Sequence, residues 1–259
     1  MIYRVCAIVP SHDHWEQVAT IVGRLRAAGL PVFLIDDGSA DPARTVLAGL
    51  DDPAGGVTVQ RLEPNQGKGG AVMAGFRLAI AAGFSHAVQV DADGQHDLDA
   101  LADLLALSAR HPAALISGQP VYDRSMPLGR KLGRWITHFW VCVETLSWRI
   151  TDSMCGFRAY PLAAVAQLMT GTRLGRRMDF DIEIMVRLCW QGVPVLMLPV
   201  RVIYPPDNSS NFRLLADNGQ ITWMHTRLVL GLLWHLPSIL RRRPPRLDRA
   251  GLSVVHRDL

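Results

Sequence analysis

The N-terminal third of the chain alternates short, continuously apolar runs with helical patterns, and this alternation restricts the fold more than any other feature of the sequence. The runs lie at 5–9, 32–35, 57–62 and 87–90 and are bounded by Pro, Gly, Asn or Asp. Runs this short and this uniformly apolar read as strands buried on both faces. Between the first two, residues 15–28 carry apolar side chains at helical spacing, with Asp13 placed to cap the helix and Gly29 to stop it. Helices over 42–50 and 71–82 follow the second and third runs. The pattern predicts an α/β fold, a mostly parallel sheet with helices on both faces. Further strands are expected at 114–117 and 193–203, an aromatic-rich helix over 135–150, an apolar helix opening at 178–183 and ended by Gly192, and a last amphipathic helix from 212. Residues 120–134 read as a flexible basic segment and 205–211 as a loop.

With 259 residues, 49% of them hydrophobic, the chain is long enough to bury a sizeable core. The organisation expected is one α/β domain over 1–215, then an amphipathic helix and a basic, partly disordered tail over 216–259. The net charge of +4 is modest, and its cations gather late, at Arg241, Arg242, Arg243 and Arg246. Directly after an apolar helix, such a cluster suits an anionic membrane face. No base-reading motif accompanies it, so no nucleic-acid partner is expected. Cys6, Cys142, Cys155 and Cys189 lie far apart with no Cys-x-x-Cys pair, which predicts buried thiols and fits a reducing cytoplasm. No signal peptide is read before the first strand, and no uncharged apolar run reaches the 18 or so residues of a spanning helix.

In parallel sheets of this kind, ligands bind beyond the carboxyl ends of the strands. Three strand ends here deliver Pro10-Ser11-His12-Asp13, Asp36-Asp37-Gly38-Ser39 and Asp91-Ala92-Asp93-Gly94-Gln95, so polar residues collect on one edge. Carboxylate and carboxamide oxygens are the donors that Mg²⁺ or Mn²⁺ selects, and such ions leave positions open for a substrate's phosphates. Asp-x-Asp alone is weak evidence, because Asp and Gly after a strand also make ordinary turns. The stretch Asn65-Gln66-Gly67-Lys68-Gly69-Gly70 is neither a Walker A loop nor a dinucleotide fingerprint. It is a glycine-rich turn opening a helix, able to offer N–H groups and a lysine to an anion.

Together, Ile8-Val9-Pro10, Ile35-Asp36-Asp37-Gly38-Ser39, the Asn65 to Gly69 loop, Asp91-Ala92-Asp93-Gly94-Gln95, Gly156-Phe157-Arg158-Ala159-Tyr160 and Phe180-Asp181-Ile182-Glu183 resemble family 2 glycosyltransferases of the GT-A, Rossmann-like fold. The layout is similar to the dolichyl-phosphate and polyprenyl-phosphate sugar synthases. Residues 150–158 and 223–227 look more like family members associated with aryl-polyene, xanthomonadin-like pigment lipids.

The resemblance implies an inverting, metal-dependent transfer of one sugar from a nucleotide-diphosphate sugar to a lipid or lipid-linked acceptor, peripheral to the cytoplasmic membrane face. It implies that Pro10, Asp36, Asp37, Lys68 and Asp91 line the nucleotide-sugar pocket, with Asp37 on the base and Asp91 by the ribose and metal. Asp91, Asp93 and Gln95 would hold Mg²⁺ or Mn²⁺. An acceptor hydroxyl would need a general base, for which Asp181 and Asp152 are the candidates. Asp181 precedes Gly192 by the interval at which processive relatives carry a Thr-Glu-Asp base. A lipid phosphate would need only positioning cations, and Arg124, Arg130 and Arg158 would form that clamp.

The chain departs from the family pattern in two places. Asp13-His14 stand where Asn-Glu is common, which leaves the donor's base open. Residues 204–212 lack the arginine and Gly-x-Ser-Lys of the polyprenyl-phosphate synthases, which counts against a phosphate acceptor. A nucleotidyltransferase and a non-catalytic nucleotide-binding module are the competing readings of the same sheet.

Overall fold

A computed structural model describes residues 2–121, 128–201 and 214–240. In chain order the elements are β1 (Val5–Ser11), α1 (Val18–Ala27), β2 (Val32–Asp36), α2 (Ala43–Ala48), β3 (Val57–Arg61), α3 (Lys68–Ala81) and β4 (His86–Gln89). A 3₁₀ turn (Leu98–Ala100) then leads into α4 (Leu101–Arg110), β5 (Leu115–Val121), α5 (Leu128–Thr145), β6 (Arg158–Pro161), α6 (Leu162–Gly171), α7 (Phe180–Trp190), β7 (Val195–Arg201) and α8 (Leu214–Leu240). One sheet of seven strands runs β3-β2-β1-β4-β6-β5-β7. Only β6 is antiparallel to its neighbours, β4 and β5.

Alternation along the strands builds a core on each face of the sheet. In β1, Cys6 and Ile8 point into the layer formed by α3, α6, α7 and α8. Ala7 and Val9 point the other way, toward α1, α2 and α4. Helix α3 lies close on β1 because Gly75 presents no side chain: a Cβ there would stand 2.4 Å from Cγ2 of Ile8. The mostly parallel, doubly covered sheet is the architecture that the strand–helix alternation implies, and the same end of β1, β2 and β4 receives all three acidic loops.

The structure differs from the sequence reading in several places. No strand is expected between 150 and 192, yet Arg158–Pro161 forms the antiparallel strand between β4 and β5. An arginine at the head of a fully buried strand conceals its apolar pattern. The basic segment expected to be flexible turns helical at Leu128, so Arg130, Lys131 and Arg134 ride on the first turns of α5. Helices α4 and α6 add to the elements expected. Asp13 does not cap α1, which begins at Val18. Its backbone is left-handed (φ 57°), its N–H donates to Ser39 Oγ (3.0 Å), and its carboxylate accepts the Ala40 N–H (2.8 Å). Cys6, Cys142 and Cys155 are buried thiols outside any disulfide. Burial pushes Cys6 and Cys155 up to about 12.

The expected boundary at 215 falls in the first turn of α8. The helix sends Ile221, Met224, Leu228 and Leu232 into the α3–α7 layer at spacings of three and four residues. Two buried polar contacts fix it there: His225 Nδ1 meets Glu144 Oε1 of α5 at 2.7 Å, and Arg227 approaches Glu183 of α7 at 3.6 Å. Among the described residues, no helix is long and apolar enough to cross a membrane.

Gly75→Ala will lower unfolding stability by about 1–3 kcal/mol despite alanine's better helix propensity, because the methyl group overpacks against Ile8. Chemical denaturation should show a smaller loss when the change is made in an Ile8→Ala background. Equal losses in both backgrounds would mean that the α3–β1 contact does not limit that position.

Candidate functional site

The site is assembled where β1, β2 and β4 end. At the end of β2, Asp36 is buried in an ion pair with Arg61 of neighbouring β3, and its Oδ1 accepts the Ser39 N–H at 2.9 Å. Asp37 organises the glycine-rich loop across from it. Its Oδ1 accepts the Gln66 N–H (2.7 Å), its carbonyl accepts from Asn65 Nδ2 (2.9 Å), and Asn65 Oδ1 accepts the Gly67 N–H (3.1 Å). Burial pushes the Asp37 carboxyl above its ordinary value, and the Gln66 and Gly67 N–H groups oppose that. Pro10, at the end of β1, is buried opposite Ile35.

The loop 65–70 is sealed against the segment before α7. Gly67 is left-handed (φ 83°), and a Cβ there would stand 2.5 Å from the Arg176 carbonyl, which accepts the Gly70 N–H (3.1 Å). A Cβ on Gly69 would stand 2.5 Å from that of Phe180. This close approach brings the starts of α3 and α7 together and aims Lys68 at the end of β4. A cavity of about 700 Å³ opens on the outer side of the seam, lined by Asn65, Gln66, Arg176, Arg177, Asp179 and Gln220 with Pro64.

Lys68 Nζ lies 2.7 Å from Asp91 Oδ2 and 2.8 Å from Asp181 Oδ2. On the other oxygens, Gln89 Nε2 donates to Asp181 Oδ1 at 3.0 Å and reaches Asp91 Oδ1 at 3.4 Å. The two carboxylates are thus bridged twice, by a cation and by an amide. Burial disfavours the Lys68 ammonium, but Asp181 and Asp91 outweigh it and raise its pKa. Burial likewise raises Asp91, and Lys68, followed by His96, overcomes it and holds the carboxyl below the usual range. Gly156 closes over Asp91: a Cβ on it would lie 2.4 Å from Asp91 Oδ2.

Beyond Asp91, Gly94 is left-handed (φ 72°), and Asp93 Oδ1 accepts the Gln95 N–H at 3.0 Å. Asp91, Asp93 and Gln95 therefore share one tight turn, each partly exposed. Among the described residues, no three His, Cys, Asp or Glu side chains gather as a metal cage. Two carboxylates and a carboxamide still suit a hard cation of the Mg²⁺ type, which takes one or two protein carboxylates and completes its shell with substrate phosphates and water.

The acceptor-side residues fall out differently. Asp181 lies 5% exposed in the first turn of α7, with one oxygen on Lys68 and the other on Gln89. Asp152 Oδ1 accepts the N–H groups of Met154 and Cys155, both at 2.9 Å, and its Oδ2 pairs with Arg134. Arg158 does not belong to a phosphate clamp. It is fully buried in β6 and donates to the Asp181 carbonyl (2.5 Å) and the Ser153 carbonyl (2.7 Å), so it welds the 152–157 loop to α7. Arg130 sits in the first turn of α5, and Arg124 lies outside the described residues.

Three site residues receive no role in the sequence reading. Gln89 sits inside an apolar strand, Tyr160 stands among core residues, and His96 follows Gln95 by one position. His96 Nδ1 lies 3.4 Å from the Asp91 amide nitrogen, and its ring lies 5.5 Å from that of Phe157. Only the polarity of Gln89, set between Val88 and Val90, signals a partner.

A sequence profile described as "Glycosyl transferase family 2" matches residues 6–169. An undecaprenyl-phosphate mannosyltransferase of Micrococcus luteus is 29% identical over 77% of this chain and 84% of the relative. A polyprenol monophosphomannose synthase of Mycolicibacterium smegmatis is 28% identical over 76% of each. Among solved structures, glucosyl-3-phosphoglycerate synthase of Mycobacterium tuberculosis, crystallised with Mn²⁺ and UDP-glucose, superposes with a TM-score of 0.59 over 90% of this chain and 79% of that one, at 14% identity. That likeness identifies the fold as GT-A.

Lys68→Met will leave two carboxylates facing each other without their cation and will cost about 3 kcal/mol of stability. Thermal unfolding should show the loss at pH 7 and a smaller one near pH 4, where protonation relieves the repulsion. An unchanged melting temperature at both values would contradict the bridge.

Proposed function

The chain belongs to glycosyltransferase family 2, and on that premise we propose that it moves one sugar from a nucleotide-diphosphate sugar to a polyprenyl phosphate at a membrane surface. That it is a glycosyltransferase of nucleotide-sugar type follows from the family, and the acceptor is our reading. The observation that carries it is the state of the two acids considered for a general base. Both oxygens of Asp181 and both of Asp152 already have partners within the protein. A hydroxyl acceptor needs a base, and either acid would give up one of these contacts to take the proton, whereas an ionised phosphate needs none. The names of the M. luteus and M. smegmatis relatives support a lipid phosphate.

In the reaction, an oxygen of the acceptor phosphate attacks the anomeric carbon. The bond from that carbon to the donor's diphosphate breaks, and the nucleoside diphosphate leaves with the electron pair. One displacement from the opposite face inverts the anomeric centre, and no proton changes hands. Asp37 and the loop it holds form the wall of the nucleotide pocket, and Lys68 places positive charge beside the leaving diphosphate. Asp91, Asp93 and Gln95 would hold Mg²⁺ or Mn²⁺, and the ion when bound would supply Lewis-acid stabilisation of charge on the departing phosphates. With Arg158 assigned to the interior, Arg124 and Arg130 are the cations we assign to the acceptor phosphate.

The same chain presents an aromatic surface suited to a lipid substrate. Trp135 and Trp148, on and just after α5, are 64% and 76% exposed, and Trp223 and Trp234 of α8 are 61% and 88% exposed. Indole rings favour the boundary between headgroups and acyl chains, and four tryptophans left this exposed on or just after two packed helices fit such a boundary. The arginines at 241–243 follow α8 directly and lie outside the described residues. We assign residues 1–215 to catalysis and α8 with its tail to the inner membrane face.

Purified protein supplied with a panel of nucleotide sugars and Mn²⁺ should glycosylate undecaprenyl phosphate but not undecaprenol, and Asp152→Asn should keep transfer within about tenfold of wild type. Transfer to the alcohol, or its loss in Asp152→Asn with folding intact, would restore a hydroxyl acceptor with Asp152 as base. In vesicle sedimentation, phosphatidylglycerol vesicles should retain the wild-type chain, and Trp223→Ala with Trp234→Ala should reduce the bound fraction severalfold. Equal retention of both would remove α8 from the membrane contact.

A further inference from the structure

Resting on the assignment of Asp91 to the nucleotide-sugar side, we infer that Arg158, Tyr160 and Gln89 form a one-way chain of hydrogen-bond donors that orients the Asp91 and Asp181 carboxylates, with Gln89 as the positioning residue.

The direction of the chain follows from what each group is able to donate. A guanidinium has no acceptor. Arg158 Nη1, 3.4 Å from the Tyr160 hydroxyl oxygen, therefore occupies one of its lone pairs. The hydroxyl proton is left for Gln89 Oε1, 3.2 Å away. Burial raises the Tyr160 pKa to about 12, so that proton is present at neutral pH. With its carbonyl oxygen engaged, Gln89 turns its NH₂ toward Asp181 Oδ1 and Asp91 Oδ1. A carboxamide without such a neighbour fits its cavity in either orientation, and the flipped one would set Oε1 against two carboxylate oxygens.

The scaffold holds the three residues in line. Gln89 and Arg158 are register partners across the antiparallel β4–β6 pair, and Tyr160 stands two residues further along β6. All three are fully buried, so water does not replace a lost bond. Arg158 is itself fixed by the carbonyls of Ser153 and Asp181. Lys68 holds the Oδ2 atoms and Gln89 the Oδ1 atoms, which leaves neither carboxylate free to rotate. Without the amide, the two Oδ1 atoms repel and Asp91 turns away from the pocket.

The test is calorimetric titration of UDP and of GDP, each with Mn²⁺, into wild type, Tyr160→Phe, Gln89→Leu and the double variant. Phenylalanine at 160 keeps the ring that packs edge-on against Phe76, so the fold is retained. Each single change should weaken nucleotide binding about tenfold. Tyr160→Phe should add nothing to the binding loss in the Gln89→Leu background, because its influence passes through the amide. The relay is overturned if Tyr160→Phe weakens binding equally in both backgrounds, or if either single variant melts earlier yet binds as wild type does. A wild-type chain that binds neither UDP nor GDP, nor ADP, CDP or dTDP, each with Mn²⁺, overturns the functional reading, and the relay with it.

Discussion

The ammonium of Lys68, lodged between Asp91 and Asp181, is the contact on which the rest of the site depends. Two carboxylates brought together away from water repel, and one of them takes a proton unless a cation stands between them. Here the cation joins three parts of the chain: the end of β4, the start of α3 and the first turn of α7. It reaches that position because Gly67 and Gly69 let the first turn of α3 press against 175–180, where any side chain would collide with the Arg176 carbonyl or with Phe180. The glycine-rich loop is therefore a packing device as much as a source of N–H groups. Asp37 completes it from β2 by holding Gln66 in place.

Engaging Asp181 in this way has a chemical consequence. The residue that resembles a general base is tied to a lysine and an amide, and Asp152 serves its own turn and Arg134. A phosphate acceptor asks for neither acid, and a chain acting on a lipid phosphate has a use for the tryptophans that α5 and α8 expose. The two helices are joined beneath that surface by the buried Glu144–His225 pair, so the aromatic face is fixed relative to the sheet. Family membership supplies the nucleotide-sugar chemistry, and the occupied carboxylates favour one acceptor class within it.

The doubly covered sheet was legible in the sequence because apolar strands and helical spacing are local signals. So was the gathering of Asp37, Lys68 and Asp91, since each lies at or just after a strand end and parallel strands present those ends on one edge. What escaped depends on partners distant in the chain. Arg158 was expected in a phosphate clamp because arginine is seldom buried, and its burial is compensated by carbonyls of Ser153 and Asp181 that no local pattern announces. The same residue obscured β6. Asp13 looked like a helix cap, yet its partners, Ser39 and Ala40, come from the loop after β2. Gln89 was passed over inside an apolar strand, although a lone carboxamide there signals a buried polar partner.

The most direct measurement is anomalous scattering from Mn²⁺ in crystals grown with a nucleoside diphosphate. The account predicts a single metal peak in the turn holding Asp91, Asp93 and Gln95, with the diphosphate beside it and Asp181 still in contact with Lys68 and Gln89. A peak on Asp181 or Asp152, or a diphosphate bound away from the end of β4, would contradict it.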